Sequence, residues 1–428
     1  MSIHTVNVLK TFCYNDTMSF LKRQAPLSEK HAFIVLSILM CFSAAQVSLN
    51  TYIDSLYLTQ AISATSSFEA MKAWADPDKM VGALYTLASL ITLLAFFFVP
   101  KILRRFGNYK WTLGIMLTQV IVLLGLALFE NAWLTIPLFI TETALVSILG
   151  FNFDIFVERY SKDESTGTIH GVLKALTSLA WLLPPFFSGI IVENYGFPLV
   201  YLTGAAMLVP AIFMMMHYFS DFKDLHYDDG PIFLSSLKKT AFPDIPRIYW
   251  VNFFLQFFFA WMIIYAPLYF HNHLGMSYAD FGMILTIALT AFVIFPSPEG
   301  ILADRVLGEK EMLIIGFLLM GVSALLIPYF STIGVSLAWW GAILFVGRVG
   351  AATVETMADV YFFKQIDGKN ASLVGYYRRA RPAAYIAAPL LASLLLGFEI
   401  IELRELFYIL AAVMFCAIFF PLQLKDTK

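Results

Sequence analysis

The chain has 428 residues, 59% of them hydrophobic and only 14% charged, with 41 phenylalanines and a net charge of −2. That balance leaves too little polar surface to coat a soluble globule of this length, so the protein is read as integral to a membrane. The near-neutral charge, with no basic face or arm, argues against a nucleic-acid partner. Most apolar runs are near or above the roughly 20 residues that cross a bilayer as a helix, and period-2 alternation is rare, which excludes a transmembrane barrel.

In chain order, residues 1–30 are polar and read as a cytoplasmic tail; the apolar run after them is long and lacks a small-residue cleavage site, so no cleavable signal peptide is expected. Membrane spans are predicted at 31–62, 80–100, 111–129, 132–156, 167–192 and 197–217. A polar stretch at 218–248, with Asp221, Lys223, Asp224, Asp228, Asp229, Lys238, Lys239 and Pro243, reads as a cytoplasmic linker too short for a folded domain. Further spans follow at 249–270, 276–297, 312–330, 334–359, 371–397 and 405–423, and a short tail at 424–428. Twelve spans put both termini on one side. Most of the 28 lysines and arginines fall in the loops and tails of that side, against Lys72, Lys79 and Arg404 opposite, so the termini are expected in the cytoplasm.

The chain repeats itself across the linker. "LVYLTGAAM" at 199–207 matches "LFYILAAVM" at 406–414, and "SLYLTQ" at 55–60 matches "PLYFHN" at 267–272. With a one-residue gap, Asp154, Arg159, Gly171, Lys174 and Pro185 fall against Asp359, Lys364, Gly375, Arg378 and Pro389. The expected architecture is therefore an all-α membrane protein of two pseudo-symmetric six-helix halves, 31–217 and 249–423. Parallel repeats facing each other leave a central cavity near the midplane, where a transporter holds its cargo.

Between the eighth and ninth spans lies "GILADRVLGEKEMLIIG", 300–316, unusually rich in charge for this chain. It resembles the loop motif G-x-x-x-D-R-x-G-[R/K]-[R/K] of the major facilitator superfamily of secondary transporters. Gly300, Asp304, Arg305, Gly308 and Lys310 fit it with one extra residue, Leu307. The resemblance, with its repeat and twelve spans, covers nearly the whole chain. It implies a bacterial-type member in the plasma (inner) membrane, working as a monomer by alternating access, with a small molecule, a proton or other coupling ion and the lipid bilayer as partners. It also implies that Asp304 and Arg305 latch the cytoplasmic gate of the outward-open state against the start of the fifth span, a carboxylate being favoured at a helix N-terminus. The first-half copy, "VPKILRRFGNYKWTLG" at 99–114, keeps Arg104, Gly107 and Lys110 but has no aspartate. That latch is therefore expected to be missing or built differently, with Asp154, Glu158 and Arg159 as the candidates to replace it, and Glu355, Asp359, Lys364 and Arg378 are expected at the same end of the second half.

An ionisable residue inside a span is costly, by about 2.5–3.5 kcal/mol at the centre, so each calls for a partner or a task. Gln46, Asn50 and Asp54 recur every four residues and share one helix face, expected to line the cavity. Glu142 lies near the middle of the fourth span. A carboxylate shielded from water can load and release a proton near neutral pH, so Asp54 and Glu142 are the proton-coupling candidates, with structural pairing or interfacial hydration as the alternative. Arg348 sits near mid-membrane in the tenth span. In the eleventh, Arg378 and Arg379 are close enough to the cytoplasmic end to snorkel or to pair with Glu355 and Asp359, while Arg381 lies deeper. Arg348 and Arg381 are candidates for binding an anionic cargo by forked hydrogen bonds, or for a structural ion pair. Asn252, Gln256, Trp261 and Tyr265 add a polar and aromatic face suited to a sugar, nucleoside or drug-like cargo, or to packing.

"AWLLPPFFSGII" in the fifth span supplies Pro185, Ser188 and Gly189 of an antiporter motif but not its upstream glycines. Paired prolines there, and Pro382 and Pro389 in the eleventh span, mark bends. No H-E-x-x-H, G-x-S-x-G or phosphate-cradling loop occurs, so no enzyme, catalytic residue or cofactor is expected. Cys13, Cys41 and Cys416 have no metal-type spacing, and His271 and His273 lack further ligands, so no metal site is expected either. The alternative to a transporter is a transporter-like receptor or scaffold. Within transport, multidrug efflux and organic-anion or metabolite transport both remain open.

Overall fold

The structure is a computed structural model, and it describes residues 29–65, 77–160, 166–222, 244–365 and 371–425. Every regular element among them is helical. In hydrocarbon each backbone N–H and C=O must be bonded within its own segment, which a helix alone achieves for a single chain crossing. Among the described residues, ten helices are long and apolar enough to cross a membrane. The pair Tyr278–Ile294 and Pro298–Leu307, bent by 46° at its break, passes the same test as one unit, either a broken crossing, the eighth in chain order, or a re-entrant loop. The last apolar helix, Leu406–Leu422, is shorter.

Several crossings are broken where the sequence interrupts the hydrogen-bond ladder. The first divides into Glu29–Thr51 and Asp54–Ala64. The fifth divides into Thr166–Leu182 and Pro184–Tyr195, with proline in the first turn of the second piece, where its missing N–H costs nothing. The eleventh breaks at Arg379, ahead of Pro382, while Pro389 stays inside Ala380–Gly397.

The two copies of the charged loop reach their glycine differently, and in the second the backbone absorbs the residue by which it exceeds the motif. In the first copy the helix Val99–Phe106 closes with an ordinary bond, Gly107 N–H to the Leu103 carbonyl at 2.8 Å. In the second, Ala303–Leu307 forms a π-turn, and Gly308 N–H reaches the Ala303 carbonyl, five residues back, at 2.9 Å. Leu307 is thus accommodated as a π-bulge rather than a longer loop. Both turns then leave through a glycine at positive φ, +75° for Gly107 and +89° for Gly308, a conformation that side chains disfavour. Gly300, by contrast, lies in the helix Pro296–Leu302 with open space where a side chain would point. The chain reversal belongs to Gly308 alone.

Termini and loops define two ends of the bundle. The start of Glu29–Thr51 marks the terminal end, and the start of Pro77–Phe96 the far end. Exposed large apolar side chains such as Leu94, Ile121, Phe213 and Val306 dress the outside, as lipid requires.

Candidate functional site

The polar residues of the first crossing turn into the N-terminal half. Gln46 is fully buried and Asn50 nearly so, and both lie beside Gly204 of the helix Phe197–Tyr218. Three residues earlier on that helix, the Tyr201 hydroxyl donates to Asp54 Oδ1 at 2.9 Å. On the face shared by Gln46, Asn50 and Asp54, the first two therefore pack against the sixth crossing, while Asp54 stays partly exposed. Glu142, 6% exposed, joins the same cluster. Its Oε1 accepts from Gln46 Nε2 at 3.3 Å and from Gln119 Nε2 at 3.0 Å, and Gln119 also donates to Gln46 Oε1 at 2.8 Å. Glu142 Oε2, Gln119 Oε1 and both polar atoms of Asn50 are buried without a hydrogen-bond partner. Gln119 was not a sequence candidate; the signal available was an amide within an otherwise apolar predicted span.

The C-terminal half holds a cation instead. Arg348 is 3% exposed. Its guanidinium reaches the Tyr52 hydroxyl at 3.4 Å and stands 5.8 Å from the Tyr52 ring, 6.0 Å from Phe258 and 5.9 Å from Phe259. Tyr52 belongs to the other half, at the break in the first crossing, so Arg348 sits on the seam. Arg381 is exposed and lies 5.5 Å from the Tyr385 ring, and Tyr385 is within electrostatic reach of Tyr52.

The remaining candidates of the seventh crossing are held by packing. Asn252 Nδ2 donates to the Tyr377 carbonyl at 3.3 Å, and Gln256 donates to Asn252 at 3.4 Å. Trp261 is fully buried between Phe257 and Tyr265, with its indole N–H unpartnered. The Tyr265 hydroxyl donates to the Pro389 carbonyl at 3.3 Å.

At the far end the halves are tightly joined. Pro184–Tyr195 and Tyr278–Leu289 approach so closely that a side chain on Gly189 would stand 2.3 Å from the Tyr278 carbonyl oxygen, and one on Gly282 2.4 Å from that of Pro185. The Tyr278 N–H donates to Glu193 at 2.9 Å. Asp78, buried, accepts from Asn272 at 2.9 Å and from Thr59 at 3.1 Å, and lies 3.4 Å from His273 Nε2. Lys79 pairs with Glu399 at 3.2 Å. These far-end partners were not predicted; His273 had been weighed only as a metal ligand, and Asp78 and Asn272 are 194 residues apart in the chain.

At the terminal end the gate candidates separate into groups. Arg378 crosses the seam to Asp154 at 2.5 Å, both about half exposed, instead of pairing with Glu355 or Asp359. Asp359 accepts from the Tyr377 hydroxyl at 3.0 Å. Lys364 pairs with Glu309 within the C-terminal half, and Thr353 donates to Glu299. Arg159 and Arg305 are exposed, with no ion pair among the described residues. The Asp304 side chain lies outside what the structure describes.

Comparison with known proteins follows this geometry. The family model of the Major Facilitator Superfamily matches residues 248–428. A bacterial homologue of the iron transporter ferroportin, in its inward-facing state, superposes with a TM-score of 0.68 at 12% identity, covering 92% of this chain and 98% of that one. An auto-inhibited peptide transporter of the POT family gives 0.71 at 10% identity, covering 93% and 98%. The POT family transporter PepTSo gives 0.68 at 10% identity, covering 94% and 98%. Identities this low establish a shared fold and nothing finer. No curated protein matches by sequence.

Proposed function

We propose that the chain is a secondary active transporter of the major facilitator kind, moving a small molecule through the seam between its halves by alternating access, driven by protons; the superfamily model matches residues 248–428, and the fold is shared with solved transporters. The observation that carries the reading is the asymmetry of the seam. Glycine-to-backbone contact and a cluster of polar bonds close it at the far end, while at the terminal end the described cross-half ion pair is a half-exposed one. With the termini in the cytoplasm of a plasma membrane, that is an inward-facing state, in which Arg305 of the charged loop stands released. Arg305, exposed and without an ion pair among the described residues, fits a released latch.

Glu142 is the proposed proton carrier, with Asp54 as a second site. Glu142 is held by two amides on one oxygen and by nothing on the other, so it can take a proton on Oε2 without breaking either bond. Cargo is proposed to contact Arg348, Arg381, Gln256 and the aromatic face of the seventh crossing, and the working unit is proposed to be a monomer. The test is transport by the purified chain in proteoliposomes, with an imposed pH gradient and a metabolite mixture read by mass spectrometry. Accumulation of a compound that follows the gradient, and stops in Glu142→Gln, is the expected result. A folded, correctly inserted protein that moves nothing under any gradient favours the receptor reading.

A further inference from the structure

Arg348 is the one buried lysine or arginine among the described residues. A guanidinium carries five N–H donors and cannot shed its charge, yet the surrounding protein gives it one long hydrogen bond, to Tyr52 at 3.4 Å. No described carboxylate pairs with it. The rings of Tyr52, Phe258 and Phe259 surround it at 5.8, 6.0 and 5.9 Å; ring faces attract a cation but do not satisfy its donors as an oxyanion does. One turn beyond Phe258, Trp261 buries a second donor, its indole N–H, without an acceptor. A structural arginine at this depth is normally answered by an acid on a neighbouring helix. Here an acid exists at the matching place of the repeat, since the register that sets Asp154 against Asp359 sets Arg348 against Thr143, beside Glu142. That acid is engaged by Gln46 and Gln119 in its own half.

We propose that the missing counter-charge is the cargo: an organic anion of the carboxylate class, whose oxygens take the Arg348 fork and the Tyr52 hydroxyl, and whose apolar body lies against Phe258 and Phe259. The planar fork of arginine matches a carboxylate with two parallel hydrogen bonds. Because Tyr52 comes from one half and Arg348 from the other, the bound anion bridges the two bodies that move. The exposed Arg381 over Tyr385 extends positive charge from this point along the eleventh crossing. The inference names the cargo class of the site proposed above and rests on that reading.

The experiment uses the full-length purified chain and matched acid and amide pairs: benzoate with benzamide, phenylacetate with phenylacetamide, and succinate with succinamide. Thermal melting is followed against concentration, since an occupant of the folded state raises Tm in proportion to the logarithm of its excess over Kd. In at least one pair the acid is expected to raise Tm and the amide not. Arg348→Gln is expected to lose the difference, and Tyr52→Phe, which keeps the ring, to need roughly tenfold more acid or beyond. The empty Arg348→Met protein is expected to melt above wild type, because it replaces an uncompensated buried charge with an apolar side chain of similar length. No separation between acid and amide in any pair overturns the proposal, as does a separation that survives Arg348→Gln, or an Arg348→Met protein that melts well below wild type. Should neither Arg348 variant fold, an unchanged acid response in Tyr52→Phe overturns it. Transport is scored separately: an acid that binds through Arg348 but never crosses the membrane removes the transporter reading and leaves this one standing. Proton-driven transport unaffected by Arg348→Gln does the reverse.

Discussion

In the N-terminal half the charge at mid-membrane is a carboxylate, and its neighbours are amides: Glu142 accepts from Gln46 and Gln119, three side chains from three crossings in one hydrogen-bonded group. In the C-terminal half, one position away in the repeat, it is a guanidinium among aromatic rings, with one hydrogen bond reaching across the seam. One half answers its charge from within and leaves a single oxygen for a proton. The other gives its donors one long hydrogen bond. On the proposed reading the two repeats divide the tasks of a coupled carrier, ion on one side and cargo on the other, with Tyr52 of the first half reaching Arg348 of the second across the seam.

The comparison breaks most severely at the carboxylate. Glu142→Gln keeps both amide neighbours within bonding reach but cannot change charge, so proton-driven transport in proteoliposomes is expected to fall at least about a hundredfold while the melting temperature stays near wild type. Retained proton-driven transport would move the proton to Asp54. Next in size is Gln119→Leu, which removes two donated bonds and leaves Glu142 and Gln46 short of partners at a cost of about 1–3 kcal/mol. Denaturation of the purified protein is expected to register that loss, and an unchanged melting point would mean that water already serves the cluster.

How much of this the sequence disclosed follows from what sequence can carry. The membrane class follows from composition, and the halves from the match of Asp154, Arg159 and Pro185 to Asp359, Lys364 and Pro389. The extra Leu307 was legible as a departure from the loop motif, but its fate was not: an insertion can lengthen a loop or widen a turn, and the π-turn at Ala303–Leu307 is the second. Single helices betray their polar faces, so Gln46, Asn50 and Asp54 were found together. Which neighbour that face meets depends on packing between crossings, and it meets Gly204 and Tyr201 of the sixth. For the same reason the sequence placed Arg378 at the cytoplasmic end, to snorkel or to pair with acids on the tenth crossing, but not with Asp154, 224 residues away across the seam. Far-end contacts such as Asp78 with Asn272 and His273 lie wholly in that long-range class.

Smaller effects sharpen the comparison at the two ends. Asp78→Asn removes the charge that faces His273 at the far end while keeping an acceptor for Asn272. It is expected to weaken far-end closure by about 1 kcal/mol, read as faster labelling of a cysteine placed at Ser277, and a labelling rate equal to that of the parent would discount the latch. The terminal-end pair is half exposed, so Arg378→Gln is expected to cost no more than about 1 kcal/mol. The exchange of Asp154→Arg with Arg378→Asp should recover what either change alone loses; failure to recover would make the pair incidental. Smallest of all is deletion of Leu307, which gives the second loop the spacing of the motif. The π-turn is expected to become an α-turn with Gly308 still closing it, leaving melting within about 1 kcal/mol equivalent of wild type. A large loss would assign the bulge a packing role.

The most direct test of alternating access at this seam is a pair of distance measurements between spin labels in a background without native cysteines. One pair stands at the far end, on the exposed Tyr195 and Ile333, and the other at the terminal end, on the exposed Phe106 and Phe363. As the pH is lowered and a transported acid is added, the far-end distance is expected to lengthen in the same fraction of molecules in which the terminal-end distance shortens. Two distances that stay fixed, or that change independently of each other, would contradict a carrier whose halves rock about Arg348 and Tyr52.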